Sequence, residues 1–202
     1  MNQQDAVEQR ILLAAQAEFA KHGFHKTVVS DIARRAQVGK GTVYRRFGNK
    51  ETLFNSLTKW AMQQLEDQID LACRQAQSSS QALQAILRIY FSFFNHSRER
   101  VEIVMLEGMQ ISGLSREELA ADVFRIKEKF RALFQKGLDN GEFQELDTDR
   151  LAYLFQSFIW STLKSAILYN IQDPGREFEP LILHVFLHGI TQNYNSGTEQ
   201  GA

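Results

Sequence analysis

Apolar residues recur along this chain every three to four positions, the spacing of one helix face rather than the alternation of a strand. Val7, Ile11, Leu12, Ala15 and Phe19 form the first stripe. It predicts a helix from about Asp5 to Lys21, ended by His22-Gly23. Thr27 is placed to cap a short helix over 29–36; a tight turn at Gln37-Val38-Gly39 leads into a second short helix, Lys40–Phe47. Asn49 caps a long helix from Lys50 to about Gln75, and Ser78-Ser79-Ser80 breaks the pattern. The next stripe is Leu83, Ile86, Leu87, Tyr90, Phe91 and Phe94. Beyond a polar connection at His96–Arg100, a short helix is expected over about Glu102–Gln110. Ser115 with Glu118 forms a capping box for a helix reaching Leu138, where Asn140-Gly141 stops it.

Asp147 caps a helix over about Thr148–Ile171, Asp173-Pro174-Gly175 reads as a turn, and Pro180 opens a last helix ending near Tyr194. These last two helices are apolar on more than one face and need cover on both sides. A central helix buried within one chain could explain one of them, less easily both. The same pair from a second copy covers both, so a homodimer is expected, with Ile159, Leu163, Ile167, His184 and Leu187 at its interface.

Composition agrees with an all-α protein of about nine helices. The chain has 202 residues, 44% of them hydrophobic, and its two prolines lie at 174 and 180, so nothing interrupts helix before them. One cysteine, Cys73, excludes an intramolecular disulfide. No apolar run reaches the roughly 18 residues that span a bilayer, and the polar N-terminus is no signal peptide; a cytoplasmic protein with no membrane partner is expected. Charge is divided unevenly. Residues 1–50 carry nine Lys/Arg against four Asp/Glu and the remainder fourteen against twenty, or +5 and −6 within a net −1. A basic head on an acidic body suits a polyanionic partner at one end.

The chemistry is concentrated in residues 11–54. Two helices of about eight residues, joined by a tight turn under a longer first helix, make a helix-turn-helix. Val29, Ile32, Ala33, Ala36, Val38, Val43 and Phe47 interlock the pair. Facing out are Lys40, Gly41, Thr42, Tyr44, Arg45, Arg46 and Lys50, a cationic, aromatic and hydroxylic surface of the kind that meets phosphates and base edges. This stretch closely resembles the DNA-binding domain of TetR-family regulators. The resemblance rests on the ordered set Ala15, Phe19-Ala20, Gly23-Phe24, Thr27, Ile32-Ala33, Ala36, Val38, Lys40-Gly41-Thr42, Tyr44, Phe47, Asn49-Lys50-Glu51 and Leu53.

The resemblance implies a dimer reading a palindromic operator in double-stranded DNA, with Lys40–Phe47 as recognition helix. Lys40, Gly41, Thr42, Arg45 and Arg46 would face bases or nearby phosphates, Tyr44 would clamp the backbone, and Lys50 with the amides after Asn49 would hold a phosphate. Val28 stands where a hydroxyl is common, leaving capping to Thr27. Gln37 stands where Gly is usual, at a cost on the order of 1 kcal/mol if φ is positive there, and Gly39 replaces a common Ser.

The expected organisation is a helix-turn-helix domain over 1–52, a helical effector-binding and dimerisation domain over 53–194, and a frayed tail over 195–202. No ligand motif marks the body. The resemblance implies a cavity for a small apolar or aromatic effector, for which Trp60, Tyr90, Phe94, Met105, Met109, Phe124, Phe158 and Thr162 are the candidate lining. The same residues at helical spacing would also serve as plain core. His184 and His188 stand four apart, a metal-binding spacing, but no third ligand accompanies them and no metal or cofactor is expected. With no P-loop, nucleophile elbow or paired acids, the chain reads as no enzyme. A ligand-released repressor is the first reading; an architectural or partner-controlled DNA-binding protein on the same fold is the second.

Overall fold

The computed structural model describes residues 3–96, 98 and 116–190, and every regular element among them is helical. In chain order these are α1 (Gln3–Lys26), α2 (Val29–Arg35), α3 (Lys40–Phe47), α4 (Lys50–Gln75), α5 (Ser79–His96), α6 (Arg116–Asp139), α7 (Thr148–Leu168) and α8 (Pro174–Ile190). The short helix expected over 102–110, the Ser115 cap and the tail over 195–202 lie outside the described residues. Two compact units share α4: residues through Leu65 fall in the first, with His96–Leu119, and Glu66–Asn95 fall in the second with the chain from Ala120. The head core climbs α4 through Leu53, Phe54 and Leu57, which carries the boundary with it.

In the head unit, Ile11, Leu12, Ala15 and Phe19 of α1 bury against Val29, Ile32 and Ala33 of α2, Val43 and Phe47 of α3 and the first two turns of α4. Phe19, Phe24 and Phe54 close this core as a triad with ring centroids 5.3–5.6 Å apart. Such stacked and edge-on aromatic contacts add to simple area burial. Gly23 does not end α1. It kinks it at φ 71°, ψ 166°, a left-handed backbone open to glycine, and one further turn runs to Lys26. Thr27 is also not the expected cap: the residue flanking α2 is Val28, which makes no side-chain cap. The buried Thr27 hydroxyl instead donates back to the carbonyls of Glu18 (3.1 Å) and Gly23 (2.7 Å), seating the kink on α1. The Glu18 carboxylate takes Arg35 Nη1 at 3.2 Å, tying α1 to the end of α2. Gln37 does adopt positive φ (55°) in the turn.

In the second unit, Phe130 and Phe134 of α6, Phe155 of α7 and Phe186 of α8 form an aromatic column with centroids 5.1–6.0 Å apart. Asp147 caps α7 as expected, accepting from the amides of Asp149 and Arg150 at 3.1 Å. Asn170, at φ 53°, stops α7 at Leu168, three residues before the expected end; the Ile171 amide returns to the Ala166 carbonyl at 2.9 Å. The last helix also starts earlier than expected. Pro174 has no amide to satisfy and occupies its first turn, while Asp173 accepts from Arg176 N at 3.1 Å, so Pro180 falls inside α8. Pro180 therefore removes one bond of the α8 ladder rather than opening it.

The N-terminus of α5 is capped from far along the chain. Both oxygens of Glu142 accept backbone amides, Ser79 at 2.7 Å and Ser80 at 2.8 Å. Partial burial pushes the Glu142 carboxyl upward, but the Ser80 and Ser79 donors outweigh it and hold the group below its ordinary value. A carboxylate depressed in the folded state stabilises fully above the unfolded glutamate pKa, about 4.3, and loses that contribution as pH falls through the depressed value. Glu142→Gln should therefore lower the unfolding temperature at neutral pH, and the gap to the parent protein should narrow on acidification. Parallel melting curves that keep a constant gap would contradict this cap.

Candidate nucleic-acid interface

Each turn of α3 divides its side chains between the head core and solvent. Val43 and Phe47 are buried, whereas Lys40, Gly41, Tyr44 and Arg45 are exposed and Thr42 is half-buried at the rim. Lys40 Nζ lies 5.6 Å from the centre of the Tyr44 ring, so the two share one patch. The structure thus brings five of the sequence-derived contacts to a single outward face, cationic at both ends and hydroxylic in the middle.

The other three hold the head together. Thr27 is buried in the kink described above. Arg46 turns back toward α1, with its side chain only 23% exposed and Nη1 3.6 Å from Glu8. Lys50 sits under the end of α1: Nζ donates to the carbonyls of Phe24 (3.0 Å), His25 (3.3 Å) and Thr27 (3.3 Å) and lies 4.5 Å from the Phe24 ring centre. An ammonium at a helix C-terminus meets the negative end of the dipole and its orphan carbonyls. Lys50 thus ties α1 to α4 through three backbone oxygens. Asn49 caps α4 as expected, its Oδ1 accepting from Thr52 N at 2.7 Å. Lys50→Met keeps the packing stem and loses the donors. It should destabilise the protein by about 1–3 kcal/mol and weaken binding to all duplexes alike, as read by calorimetry and by titration of unrelated DNA sequences. An unchanged melting curve would remove the tie.

The candidate effector residues scatter more widely. Tyr90 and Phe94 share the buried face of α5. Trp60 packs against the head core instead, since that core extends along α4. Phe124 is exposed on α6, with Lys127 Nζ 5.1 Å from its ring centre. Phe158 is 43% exposed, its edge against Phe186 at 5.9 Å, and Thr162 donates back to the Phe158 carbonyl at 2.8 Å within α7. Met105 and Met109 lie outside the described residues.

The expected dimer contacts also change phase. Ile159 and Leu163 point inward, because Phe155, Ile159 and Ala166 set the buried face of α7; Ile167 is half-buried. Large apolar side chains left in solvent include Tyr153, Leu154 (49%), Phe158 and Leu168 on α7, with Leu181 (57%) and Val185 (52%) on α8. His184 and Leu187 line a groove of about 320 Å³ between α5 and α8 with Ser80, Gln84 and Leu183. The His184 and His188 rings are 4.2 Å apart, and among the described residues no third His, Cys, Asp or Glu joins them. No helix among the described residues is long and apolar enough to cross a membrane.

Sequence reasoning passed over Glu66, Arg125 and Trp160. Glu66 is buried on α4 and accepts from Arg125 Nη2 of α6 at 2.8 Å. A carboxylate beside Leu65 and three residues before Ile69 on an apolar helix face was the available signal.

Residues 11–57 match the family model of the bacterial regulatory proteins, tetR family. Over 167 residues the chain is 25% identical to the fatty acid metabolism regulator protein of Bacillus subtilis, covering 83% of this chain and 84% of that one. It is 24% identical over 191 residues to the transcriptional repressor KstR2 of Mycobacterium tuberculosis, covering 90% and 92%. Its fold is similar to that of the Bacillus subtilis regulator FadR in complex with stearoyl-CoA, at TM-score 0.75 and 24% identity over 90% of this chain and 98% of that one. Residues 11–57 thus fold as a helix-turn-helix with an outward cationic face that matches the tetR-family model, in an all-helical chain similar to transcriptional regulators of fatty acid metabolism.

Proposed function

We propose that the chain is a cytoplasmic repressor that grips a palindromic operator as a homodimer and releases it when a hydrophobic, acyl-type effector enters its body. The observation that carries the DNA reading is the outward face of α3, where Lys40, Gly41, Thr42, Tyr44 and Arg45 stand together with no other described element over them. A second copy covering Leu154, Phe158, Leu181 and Val185 would bury the apolar face of α7 and α8 and repeat the recognition helix about a two-fold axis. Half-sites one helical turn apart, about 34 Å, would then face the two α3 helices. The effector class is supported by the likeness to a regulator of fatty acid metabolism and to a fold seen with stearoyl-CoA, and by a body rich in phenylalanine.

Release needs a ligand that prefers a dimer whose recognition helices are wrongly spaced, a coupling of about 1–3 kcal/mol. Helix α4 is the path for it, since its first four turns belong to the head and its last three to the body. Selection of the purified protein on random duplexes tests the DNA half: one palindrome should be enriched. Stearoyl-CoA should then lower affinity for that duplex by fivefold or more, on the order of the coupling above. Enrichment of no sequence, with binding that only fades in salt, would sink the operator reading.

A further inference from the structure

The interior of the second unit contains a donor with nothing among the described residues to donate to. Tyr90 is 3% exposed, and its hydroxyl has no hydrogen-bond partner among the described residues. Phe130 packs on the ring at 6.3 Å between centroids. Leaving a buried hydroxyl unsatisfied is costly, and phenylalanine would fill the same space without that cost. The indole Nε1 of Trp160, on α7, is likewise buried with no partner among the described residues. Both groups carry a hydrogen to give, so the unit has an excess of donors over acceptors at these positions.

The electrostatic setting narrows what could meet the hydroxyl. Glu66 is 5% exposed and acts on Tyr90 through space; its own hydrogen-bond partner is Arg125, whose side chain is half exposed and so partly screened by water. Burial raises the phenol well above its ordinary pKa, and the Glu66 carboxylate raises it further. The hydroxyl thus stays protonated and sits in a negative local field. An anionic group arriving there would be desolvated beside a buried carboxylate. A neutral oxygen would not.

We infer that Tyr90 is the polar anchor of the effector site, donating to an uncharged acceptor, the carbonyl of a thioester, ester or ketone, on an otherwise apolar ligand. This rests on the effector reading above and adds to it a residue, a bond and a selection rule: the acyl carbonyl is recognised and the free carboxylate is refused. It also assigns the unsatisfied hydroxyl a purpose, because the group that destabilises the empty protein is the one that discriminates the filled one.

The test uses the full chain and its Tyr90→Phe variant, titrated calorimetrically with dodecanoyl-CoA, 2-tridecanone, dodecanoate and coenzyme A alone. The variant should melt at or above the parent temperature when empty, because it loses an unpartnered hydroxyl. It should bind dodecanoyl-CoA and 2-tridecanone about tenfold more weakly, the size of one hydrogen bond. Dodecanoate and coenzyme A should bind the parent more weakly than either carbonyl probe, and Tyr90→Phe should leave their affinity unchanged. A variant that binds the carbonyl probes as the parent does overturns the anchor and leaves the acyl-effector reading standing. An empty variant that melts below the parent also overturns it, since the hydroxyl would then be satisfied within the fold. If neither carbonyl probe binds the parent protein, the effector reading fails and the anchor with it.

Discussion

Leu154→Glu combined with Val185→Glu should give a folded monomer that binds its operator at least about a hundredfold more weakly. Both side chains are about half exposed in the single chain, so each glutamate is solvated there and costs the monomer little. In a dimer packed through α7 and α8, the substitution would bury four carboxylates without partners, each penalised by several kcal/mol. Losing the second subunit removes the effective concentration that joins two half-site contacts, commonly worth about 10²–10⁴ in affinity. Analytical ultracentrifugation and duplex titration read the two effects separately, and circular dichroism checks that the helices persist. A double variant that still sediments as a dimer would move the interface off these helices. Ile159 and Leu163 make the informative contrast: they lie inside the chain, so truncating them should unfold it rather than dissociate it.

Gly137→Val should destabilise the protein by about 3 kcal/mol, close to the upper end of ordinary overpacking. A side chain at this position would overlap the Phe143 ring. That ring cannot retreat, being 2% exposed and packed against Phe134 at 6.1 Å. The Gly137 carbonyl also accepts from the amides of Glu142 (2.9 Å) and Phe143 (3.1 Å), so displacing Phe143 drags Glu142 from the amides of α5 that it caps. A fall in melting temperature of roughly 10 °C is expected for a chain of this size. Gly189→Ala, where a new methyl meets open space, is the control and should be neutral or slightly stabilising. Equal melting temperatures for the parent and Gly137→Val would mean that the α6–Phe143 corner is soft.

Local chemistry was legible wherever a residue acts on its own neighbours. The bounds of α3 follow from the Gln37–Gly39 turn, and Asn49 and Asp147 cap the helices they precede, because a cap reaches only two or three residues. The positive φ of Gln37 was likewise readable from its place in the turn. Orientation was less legible. Residue type makes Lys50, Arg46 and Thr27 candidate DNA contacts; only the folded head shows that three carbonyls, Glu8 and the α1 kink claim them. The burial of Ile159 and Leu163 within the chain was illegible for a related reason: a helix apolar nearly all round does not encode which side Phe130 and Phe134 will cover. Tyr90 could be named as a residue of the body, but its missing partner is a property of packing that no spacing reports.

The internal engagement of the basic side chains has a consequence for how the protein will respond to ionic strength. Of the nine Lys/Arg in the first fifty residues, Arg34 pairs with Asp31, Arg35 with Glu18, Arg46 with Glu8, and Lys50 with backbone oxygens. Each phosphate neutralised on duplex DNA contributes about −0.9 to the slope of log affinity against log salt, and cations already neutralised within the head release few counterions. Operator binding should therefore vary less with salt than the nine cations of this segment suggest. Phosphate contacts then fall to the cations outside these pairs, Lys40 and Arg45 of the outward face among them, and the telling of one sequence from another to contacts with base edges.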